Sequence, residues 1–541
     1  MKKRNLFVFA LASLMMIGCS NDDVIDEGGG NGNGADKGAW VSLSISAPAQ
    51  TRAIGNPDDR QNGTEAESNI SEVIAVFFKY IGSAGTVPLA NTAATSDDFE
   101  KVDLVELSPA QIGKPGQGTT AGISGEAFEV KKGAEYILLV ANPTTKLTAQ
   151  LKNNAYTTFT QINAAIENDD VAVANKFVMT NAKGDLEPSV SGTDGSLKVL
   201  TLYDTKPAAE AAGAPLKITL DRVTAKVRLY NQYNNTADMK VHNVQWVLNV
   251  TNKKFFPISA RKKTYREETL GGANIWSDPY ALGSYRVDPN FTGNINPDDD
   301  LTNYEKEYTH YTETNKPSTW INPLDDATSP GTAQYCLENT QAEAENKHAY
   351  TTHILVKAVV YPSTLDSDID NTSTDGTYNS LFKIGGAYYS LATLKTVLIA
   401  ELTATDKPYI DAFETYLTGI GSSKTITSEA EINAIVEADL KADSHGSVTC
   451  FKNSINYYKI MIKHDNILKG GTDDPDYINK LGEFGVVRNS VYDIKITKFN
   501  NSGDPLIPNP DPDTDDEEDK KFLAVEIEVN PWTWYVQEVE L

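Results

Sequence analysis

Three aspartates at alternate positions open the stretch "DSDIDNTSTDG" at residues 366–376, and this is the spacing of the first ligands in a calcium-binding loop. Such a loop also requires a glycine at its sixth position and a bidentate glutamate at its twelfth. Asn371 and Thr377 occupy those positions here. We therefore expect a solvated acidic loop, and we interpret the aspartates at 298–300 in the same way. No metal site is predicted.

The tripeptide "DSH" at residues 443–445 contains the residue types of a hydrolytic triad. The members of such a triad converge from separate elements, so three adjacent residues do not form one. The sequence also lacks the G-x-S-x-G and H-E-x-x-H motifs of hydrolases and zinc proteases. The chain is therefore predicted not to be an enzyme, and no cofactor is predicted.

The sequence contains three cysteines, Cys19, Cys336 and Cys450. Cys19 belongs to an export signal, described next. In an oxidising compartment Cys336 and Cys450 could form a disulfide, or both could be buried free thiols. The sequence does not give their separation, so both possibilities stay open. Two cysteines without further cysteines or paired histidines do not make a zinc site.

The first 19 residues have the organisation of a secretory signal peptide. Basic residues 2–4 precede an apolar segment at 6–17, which is too short to span a bilayer as a mature helix. The segment resembles a bacterial lipoprotein signal in which "MIGC" is the lipobox, with Met16 where leucine is more usual. That resemblance makes Cys19 the lipidated residue, which would carry palmitate, and residues 1–18 the removed signal. The following "SNDD" resembles the acidic signal that sends such lipoproteins to the cell surface.

Charge and composition restrict the remaining functions. The formal net charge is −26, and only "SARKKTYR" at 259–266 is basic, so no nucleic-acid partner is predicted. Abundant Tyr, Thr, Asn and Gly are typical of a β-rich extracellular protein with many turns. The 541 residues, of which 40% are hydrophobic, allow two to four folded domains.

Strand-like segments dominate the chain and predict a mainly β fold with a few short helices. Their spacing favours β-sandwiches over a parallel sheet wrapped in helices. A boundary near Asp221 divides the folded part into domains at residues 53–221 and 222–500. The strands are predicted at 71–80, 134–143, 215–220, 224–233, 241–250, 352–362, 455–464 and 491–499, and the helices at 158–168, 390–402 and 428–440.

Isolated strands stand at both ends of the folded part. Near the amino terminus, a Gly-rich tether precedes an alternating strand that runs into Arg52. At the carboxy terminus, an acidic, proline-rich linker at 501–521 precedes an alternating strand at 522–541, and we expect this linker to reach outward. The apolar positions of the first strand are Val41, Leu43, Ile45 and Ala47, and those of the second are Leu523, Val525, Ile527, Val529, Trp532 and Trp534.

An isolated strand is unstable in water, because its backbone groups and its apolar face need a sheet. If a protease cuts between Arg52 and Ala53, the strand within the propeptide at 19–52 can leave the first domain and open a groove. The carboxy-terminal strand of another molecule has the matching alternation to fill that groove. Repetition of such a head-to-tail contact gives a filament.

Several stretches spread over nearly the whole chain carry a family resemblance. They are the lipobox with Cys19, the strand before Arg52, "LDRVTAKVRL" at 220–229, "YRVDPNFTGN" at 285–294, "VVRNSVYDIKI" at 486–496 with the trailing Gly503 and Pro505, and the terminal "VEIEVNPWTWYVQEVEL". In these stretches the chain resembles the fimbrillins of the Bacteroidales, the stalk subunits of type V pili. The similarity is greatest to the major shaft subunit of the minor, short fimbriae.

This resemblance implies a cell-surface fimbria built from lipoprotein precursors, each with two transthyretin-like β-sandwich domains and a terminal donor strand. An arginine-specific, trypsin-like protease would cleave after Arg52, and subunits starting at Ala53 would polymerise by donor-strand exchange. Arg60 is a second possible cleavage site, but it lies beyond the strand. The implied partners are further copies of the chain, anchor and tip subunits, the protease, the outer membrane through the lipid, and host or bacterial receptors in adhesion and biofilm formation.

A monomeric surface lipoprotein that binds glycans through β-sandwich domains is an alternative, since it shares the signal, the acidic charge and the β pattern. Trp532, Trp534 and Tyr535 could then form a sugar-stacking platform, although on a strand such residues more often fill a sheet face. This alternative does not require Arg52 after a strand or a strand beyond the linker. The terminal strands could also pair within their own molecule as ordinary edge strands.

Overall fold

The computed structural model of the chain describes residues 37–46, 61–82, 97–115, 124–182, 184, 186–187, 199–211, 215–233, 238–260, 269–270, 273–274, 285–292, 295–327, 329, 331–369, 377–464, 481–514 and 522–533. Within these residues the protein is mainly β, with several sheets and a few short helices, as predicted. No described helix is both long and apolar enough to cross a membrane.

The strands are, in chain order, β1 (Lys37–Val41), β2 (Leu43–Ser46), β3 (Gln61–Asn62), β4 (Val73–Tyr80), β5 (Phe99–Leu107), β6 (Phe128–Lys131), β7 (Tyr136–Ala141), β8 (Ile166–Glu167), β9 (Ala172–Val173), β10 (Lys176–Phe177), β11 (Met179–Asn181), β12 (Leu216–Arg222), β13 (Thr224–Asn231), β14 (Met239–Asn249), β15 (Thr251–Asn252), β16 (Lys254–Phe255), β17 (Thr269–Leu270), β18 (Ala273–Asn274), β19 (Tyr308–Thr309), β20 (Gln334–Leu337), β21 (His353–Pro362), β22 (Leu381–Ile384), β23 (Ala387–Ser390), β24 (Asp443–His445), β25 (Val448–Phe451), β26 (Ile455–Met461), β27 (Ser490–Phe499) and β28 (Leu523–Thr533).

The α-helices are α1 (Glu65–Ser68), α2 (Pro109–Ile112), α3 (Thr145–Leu151), α4 (Phe159–Ile162), α5 (Lys206–Ala211), α6 (Leu301–Glu307), α7 (Asp366–Ile369), α8 (Leu391–Glu401), α9 (Pro408–Gly419) and α10 (Glu429–Asn433). Most are short, and several begin at a Ser or Thr whose side chain accepts a hydrogen bond from the third helical residue. These caps start helices that otherwise have few turns.

The amino-terminal half of the chain forms a six-stranded sheet in the order β2-β12-β11-β7-β4-β5, with β1 and β6 as a separate pair. One face of the large sheet packs on that pair, and residues such as Phe77, Ile218 and Phe128 share the core between them. The other face packs on α3 and α4 through Leu147 and Phe159. Both faces are therefore covered, which explains why the run at 73–78 is apolar throughout.

The second unit is a sandwich of a five-stranded sheet, β20-β13-β27-β28-β3, and a three-stranded sheet, β14-β21-β26. Trp246, Val356 and Ile494 lie in the core between the two sheets, and each is fully buried. The chain passes from the first unit to the second at Val223, between β12 and β13. This change of sheet lies two residues beyond Asp221.

A third cluster of elements lies between β21 and β26. The four-stranded sheet β23-β22-β25-β24 packs on α8, α9 and α10 and encloses its own core, which includes Phe382, Leu398, Phe413 and Ile432. The sequence analysis assigned this stretch to a single carboxy-terminal sandwich domain. The structure instead shows an α+β unit inserted into that sandwich.

The predicted helices are observed with different extents. The helix expected at 390–402 is α8, whereas the one expected at 428–440 is the short α10 followed by a 3₁₀ turn at Glu437–Asp439. The helix expected at 158–168 is only α4, because the chain enters β8 at Ile166. The sequence analysis missed α9, although Pro408 at its first turn and the apolar spacing after it are helix signals.

Candidate functional site

The amino-terminal strand belongs to both layers of the first unit. β1 pairs antiparallel with β6, and after Ser42 the chain continues as β2, which pairs in parallel with β12 at the edge of the six-stranded sheet. Val41 lies opposite Phe128, and Leu43 lies opposite Leu216. This ten-residue segment, 37–46, therefore closes one side of the sandwich.

The apolar face of this segment is almost completely buried. Ala39, Val41, Leu43 and Ile45 are each at most 4% exposed and belong to one core cluster with Ile218. Burial of an aliphatic side chain of this size contributes about 1.5–3 kcal/mol. Removal of the segment would therefore open an apolar cleft between β12 and β6. The first unit would lose the burial free energy of all four side chains.

The serine face of the segment is also covered. Ser42 and Ser44 are only 7% and 4% exposed. The connection between β5 and β6 lies over Ser42, whose hydroxyl donates to the carbonyl oxygen of Gly125 at 3.3 Å, while the Gly125 amide donates to the Leu43 carbonyl at 3.2 Å. A Cβ at Gly125 would lie 1.9 Å from the carbonyl oxygen of Gln111, so this close approach requires glycine.

The predicted processing residues lie outside the described part of the chain. They are Cys19, Arg52 and Ala53, together with Ala47 at the end of the predicted strand. The described strand ends at Ser46, six residues before Arg52.

The carboxy-terminal strand is docked on its own molecule. β28 runs antiparallel to β27, from Leu523 opposite Phe499 to Pro531 opposite Ser490. Leu523 is 5% exposed within the core of the second sandwich, and Val525 and Ile527 pack against that core while half-buried. The structure thus places the strand in its own domain, which the sequence analysis had left open.

Only part of the predicted donor strand can be described by its side chains. The backbone of Trp532 pairs with Gln61 of β3. The side chains of Val529 and Trp532, and the whole of Trp534, lie outside the described residues.

The linker at 501–521 was expected to reach outward, and over its described part, 501–514, this expectation is wrong. Asp504 and Tyr457 exchange two backbone hydrogen bonds of 2.9 Å, and the Ala349 amide donates to the Asp511 carbonyl at 3.1 Å. Ile507 is 3% exposed and packs on Leu355. The linker therefore covers the outer face of the three-stranded sheet, a role that its acidic, proline-rich composition does not indicate.

Residues 449–538 match the family model for the carboxy-terminal region of fimbrillin, described as a major fimbrial subunit protein of type IV. This region of the chain belongs to the fimbrillin family. It begins in β25 and contains β26, β27, the linker and β28. The strand pair β27–β28 described above is thus a feature of the fimbrillin region.

Solved structures show a more distant likeness. A fimbrilin (FimA) from Porphyromonas gingivalis is 14% identical, with 93% of this chain and 99% of that chain covered and a TM-score of 0.36. The tip fimbrial protein Mfa3 of the same species is 12% identical, with coverages of 91% and 100% and a TM-score of 0.33. No curated protein sequence matches the chain. The family assignment therefore depends on the match at residues 449–538.

The fimbrillin region contributes two residues to a buried polar network at the junction between the two sandwiches. Arg286 donates to Asp221 Oδ2 at 2.7 Å and to the carbonyl oxygen of Ala182 at 2.9 Å. Asn489 donates to Asp221 Oδ1 at 3.0 Å and accepts from the Arg222 guanidinium at 3.2 Å. All five residues are at most 4% exposed.

The second residue that the fimbrillin region contributes to this network is Arg488. Arg488 Nε donates to Glu338 Oε2 at 3.2 Å, and its Nη2 donates to the Phe256 carbonyl at 2.9 Å. Burial lowers the pKa of Arg222 to about 10, which still leaves its guanidinium charged at neutral pH. Since these charges are enclosed by protein, we interpret the network as a clamp on the orientation of the two units.

The network unites three stretches that carried the family resemblance. Its three arginines, Asp221 and Asn489 come from 220–229, 285–294 and 486–496, which are far apart in the sequence. The sequence analysis quoted these stretches but did not assign their charged residues to a shared site. The available signal was the occurrence of charged residues beside continuous apolar runs, as in "LDRV" and "VVRN".

Asp288 lies in the same part of the junction and is 3% exposed. It accepts hydrogen bonds from the backbone amides of Thr340 and Asn290, both at 2.6 Å, and from the Asn252 side chain at 2.8 Å. Burial nevertheless raises the pKa of the Asp288 carboxyl to about 7, and the nearby Glu338 charge adds to the increase. The folded chain therefore retains a proton here that the unfolded chain has released.

We expect the free energy of unfolding to fall as pH rises from about 4 to 7, because only the folded state binds this proton in that range. Urea unfolding at pH 5 and pH 7.5 measures the difference. Asp288→Asn should reduce this difference between the free energies of unfolding at the two pH values. Asp411→Asn, at an exposed position of α9, should leave the difference unchanged. An equal pH dependence in the parent chain and in Asp288→Asn would contradict the assignment.

Cys336 and Cys450 are free and buried. Cys336 lies in the core of the second sandwich, and Cys450 lies in the core of the inserted unit. Burial raises the pKa of both thiols to about 12. The possible disulfide is therefore not formed, because the two thiols belong to different cores, and the alternative of two buried thiols is the one observed.

Of the two acidic stretches, the first differs from the expected solvated loop, whereas Asp298 and Asp299 are exposed in a turn as expected. Residues Asp366–Ile369 form α7, and Asp366 accepts a hydrogen bond from the Tyr361 hydroxyl at 3.0 Å. Asp300 caps α6 by accepting from the Asn303 amide at 3.1 Å. Within the described ranges no group of three or more potential ligands could hold a metal ion.

Proposed function

We propose that this protein is a shaft subunit of a cell-surface fimbria. In this proposal the chain is exported as a lipoprotein precursor anchored to the outer membrane through Cys19 and cleaved after Arg52. The subunits then polymerise by donor-strand exchange and support adhesion and biofilm formation. The division into domains at 53–221 and 222–500, a linker at 501–521 and a donor strand at 522–541 is part of the proposal.

The observation that carries the proposal is the position of the segment 37–46. The segment supplies four almost completely buried apolar residues to the first core. It nevertheless precedes Arg52, so a single cut there would separate it from the subunit. After the cut, only non-covalent contacts would hold it. A precursor whose core is completed by a detachable segment is suited to strand exchange.

The donor would be β28 of another copy. Its residues Leu523, Val525 and Ile527 already face a sandwich core in this chain. They repeat at the same two-residue spacing as Val41, Leu43 and Ile45 and are comparable in size. In the exchange, β28 would leave β27 of its own chain and pair with β12 of the next subunit.

Such a contact joins different surfaces of successive copies, so it does not close on itself and repeats into a filament. Other copies of the chain are the principal partners in this proposal. Anchor and tip subunits, an arginine-specific protease and host or bacterial surface receptors are the remaining partners. The family match of the region that contains β28 supports this assignment.

Limited digestion of the purified precursor with an arginine-specific protease tests the proposal. We expect loss of the amino-terminal segment followed by a ladder of oligomers on a gel that preserves non-covalent assemblies. A monomeric glycan-binding lipoprotein would give one shortened band without higher species. That result would overturn the fimbrial assignment.

Substitution of the predicted cleavage residue gives a sharper form of this test. Arg52→Gln should prevent formation of the product that starts at Ala53 and should slow assembly, because the segment 37–46 stays covalently attached. Arg60→Gln is the matched control and should be cleaved and assembled like the parent. Amino-terminal sequencing of the products measures the outcome, and an Ala53 terminus in Arg52→Gln would contradict it.

A further inference from the structure

The edge of β12 that β2 covers sets the alignment of any strand that replaces β2. β2 runs parallel to β12, with Leu43 opposite Leu216 and Ser44 opposite Lys217. Ile218, the next residue of β12, is fully buried, whereas Lys217 is exposed. A replacing strand in the same direction therefore places its apolar residues on the core side and the intervening residues on the side of Lys217.

In its present position the carboxy-terminal strand carries a glutamate that faces a lysine of the neighbouring strand. Glu526 of β28 is exposed and lies opposite Lys495 of β27. Opposite charges at directly facing positions stabilise a strand pair. When β28 leaves β27, Glu526 loses this lysine, and a lysine at the acceptor edge would replace it.

Two alignments keep the apolar residues of β28 on the core side and bring a glutamate opposite Lys217. In the first, Leu523, Val525 and Ile527 take the places of Val41, Leu43 and Ile45, and Glu526 takes the place of Ser44. In the second, the strand is shifted by two residues, so that Glu528 takes that place.

Burial at Ser42 distinguishes these two alignments. Ser42 is 7% exposed and its hydroxyl lies 3.3 Å from the Gly125 carbonyl oxygen. The first alignment puts Ala524 at this position, and its small side chain fits there. Both alignments bring a glutamate to the Ser44 position, which is only 4% exposed, and there it faces Lys217, which can pair with it. The second alignment additionally buries Glu526 at the Ser42 position, where its carboxylate would face a carbonyl oxygen while Lys217 is already paired, which is strongly unfavourable.

We propose that Lys217 in the vacated cleft pairs with Glu526 of an incoming second copy, and that Ala524 at the Ser42 position fixes this alignment. This inference rests on the proposed strand exchange. The acceptor edge then selects a strand in which a small residue precedes a carboxylate by two positions. Lys217 is thus a specificity-determining residue for assembly.

Cross-linking in the assembled full chain tests the alignment. One variant carries Lys217→Cys with Glu526→Cys, and the matched control carries Lys217→Cys with Glu528→Cys. Two residues of strand span about 7 Å, and Cα atoms more than about 7 Å apart do not form a disulfide without backbone movement. After cleavage and mild oxidation we therefore expect disulfides between subunits in the first variant, at about tenfold the level of the control. Cys336 and Cys450 are buried and should not react.

Charge exchange provides a second measurement. Lys217→Glu should slow ladder formation by about threefold to tenfold, because it places two carboxylates opposite each other. Addition of Glu526→Lys in the same chain should restore the rate, although it places two lysines opposite each other in β27 and β28 and should therefore slightly lower the unfolding temperature of the precursor. A rate that Lys217→Glu leaves unchanged would overturn the pairing.

The outcomes separate this inference from the proposed function. If ladders form but the cross-link appears mainly in the Glu528→Cys control, the alignment is wrong although strand exchange occurs. The same holds if the cross-link forms within one subunit or in neither variant. A parent chain that is cut after Arg52 and forms no ladder would overturn the exchange itself.

Discussion

Deletion of residues 522–541 is expected to abolish ladder formation by the cleaved chain. The deletion removes β28, the only strand assigned as donor in the proposal, so each subunit keeps an empty cleft after cleavage. It also exposes the core that Leu523, Val525 and Ile527 cover. Burial of Leu523 alone contributes about 1.5–3 kcal/mol, so the deleted precursor should also unfold at a lower temperature. Native gels and thermal unfolding measure the two effects.

A peptide of residues 522–541 added in trans controls for loss of folding. The peptide should bind beside β27 and raise the unfolding temperature of the precursor that lacks residues 522–541. It should not restore the formation of oligomers. If cleaved chain without residues 522–541 still forms fibres, β28 is not the donor.

Replacement of Arg286 by methionine is expected to lower the free energy of unfolding by about 3–5 kcal/mol, the usual cost of removing one partner from a buried ion pair. Arg286 and Asp221 are 2% and 1% exposed, and their nitrogen and oxygen atoms lie 2.7 Å apart. Methionine would leave the Asp221 carboxylate enclosed, with Asn489 as a neutral donor. Urea unfolding measures the loss.

Two further variants test this explanation. Arg286→Met combined with Asp221→Asn should recover part of the lost stability, because the stranded charge is removed. Lys146→Met breaks an exposed ion pair with Glu167 and should have little measurable effect. A loss of stability in Arg286→Met no greater than in Lys146→Met would show that the junction network does not clamp the two units.

The sequence was most informative where a segment's own pattern determines its environment. Alternation between residues 41 and 45 predicted one apolar face, and this face is buried. The continuous apolar run at 71–80 predicted an interior strand, and β4 lies between β7 and β5 in the large sheet. In both cases the pattern of apolar residues predicts which faces pack on a core, but it does not predict that the polar face at Ser42 and Ser44 is covered as well.

The features that the sequence did not give depend on which distant segments meet. Asn489 and Asp221 bond across 268 residues, and no local pattern encodes such a contact. Ile507 is a single apolar residue in an acidic linker, so composition indicated solvation although the residue fills a sheet face. The inserted α+β unit was missed because its strands are only three or four residues long, which is too short for a clear side-chain alternation, although two of its helices were predicted.

The docked linker limits how far β28 can move from its own subunit. If residues 501–514 keep their contacts during exchange, only the seven residues 515–521 remain as a tether, with a maximum reach of about 25 Å. The complete linker of 21 residues would reach about 70 Å when extended. The short tether would thus keep neighbouring copies close together. A fibre built in this way would be stiffer than one whose subunits were joined by the complete extended linker.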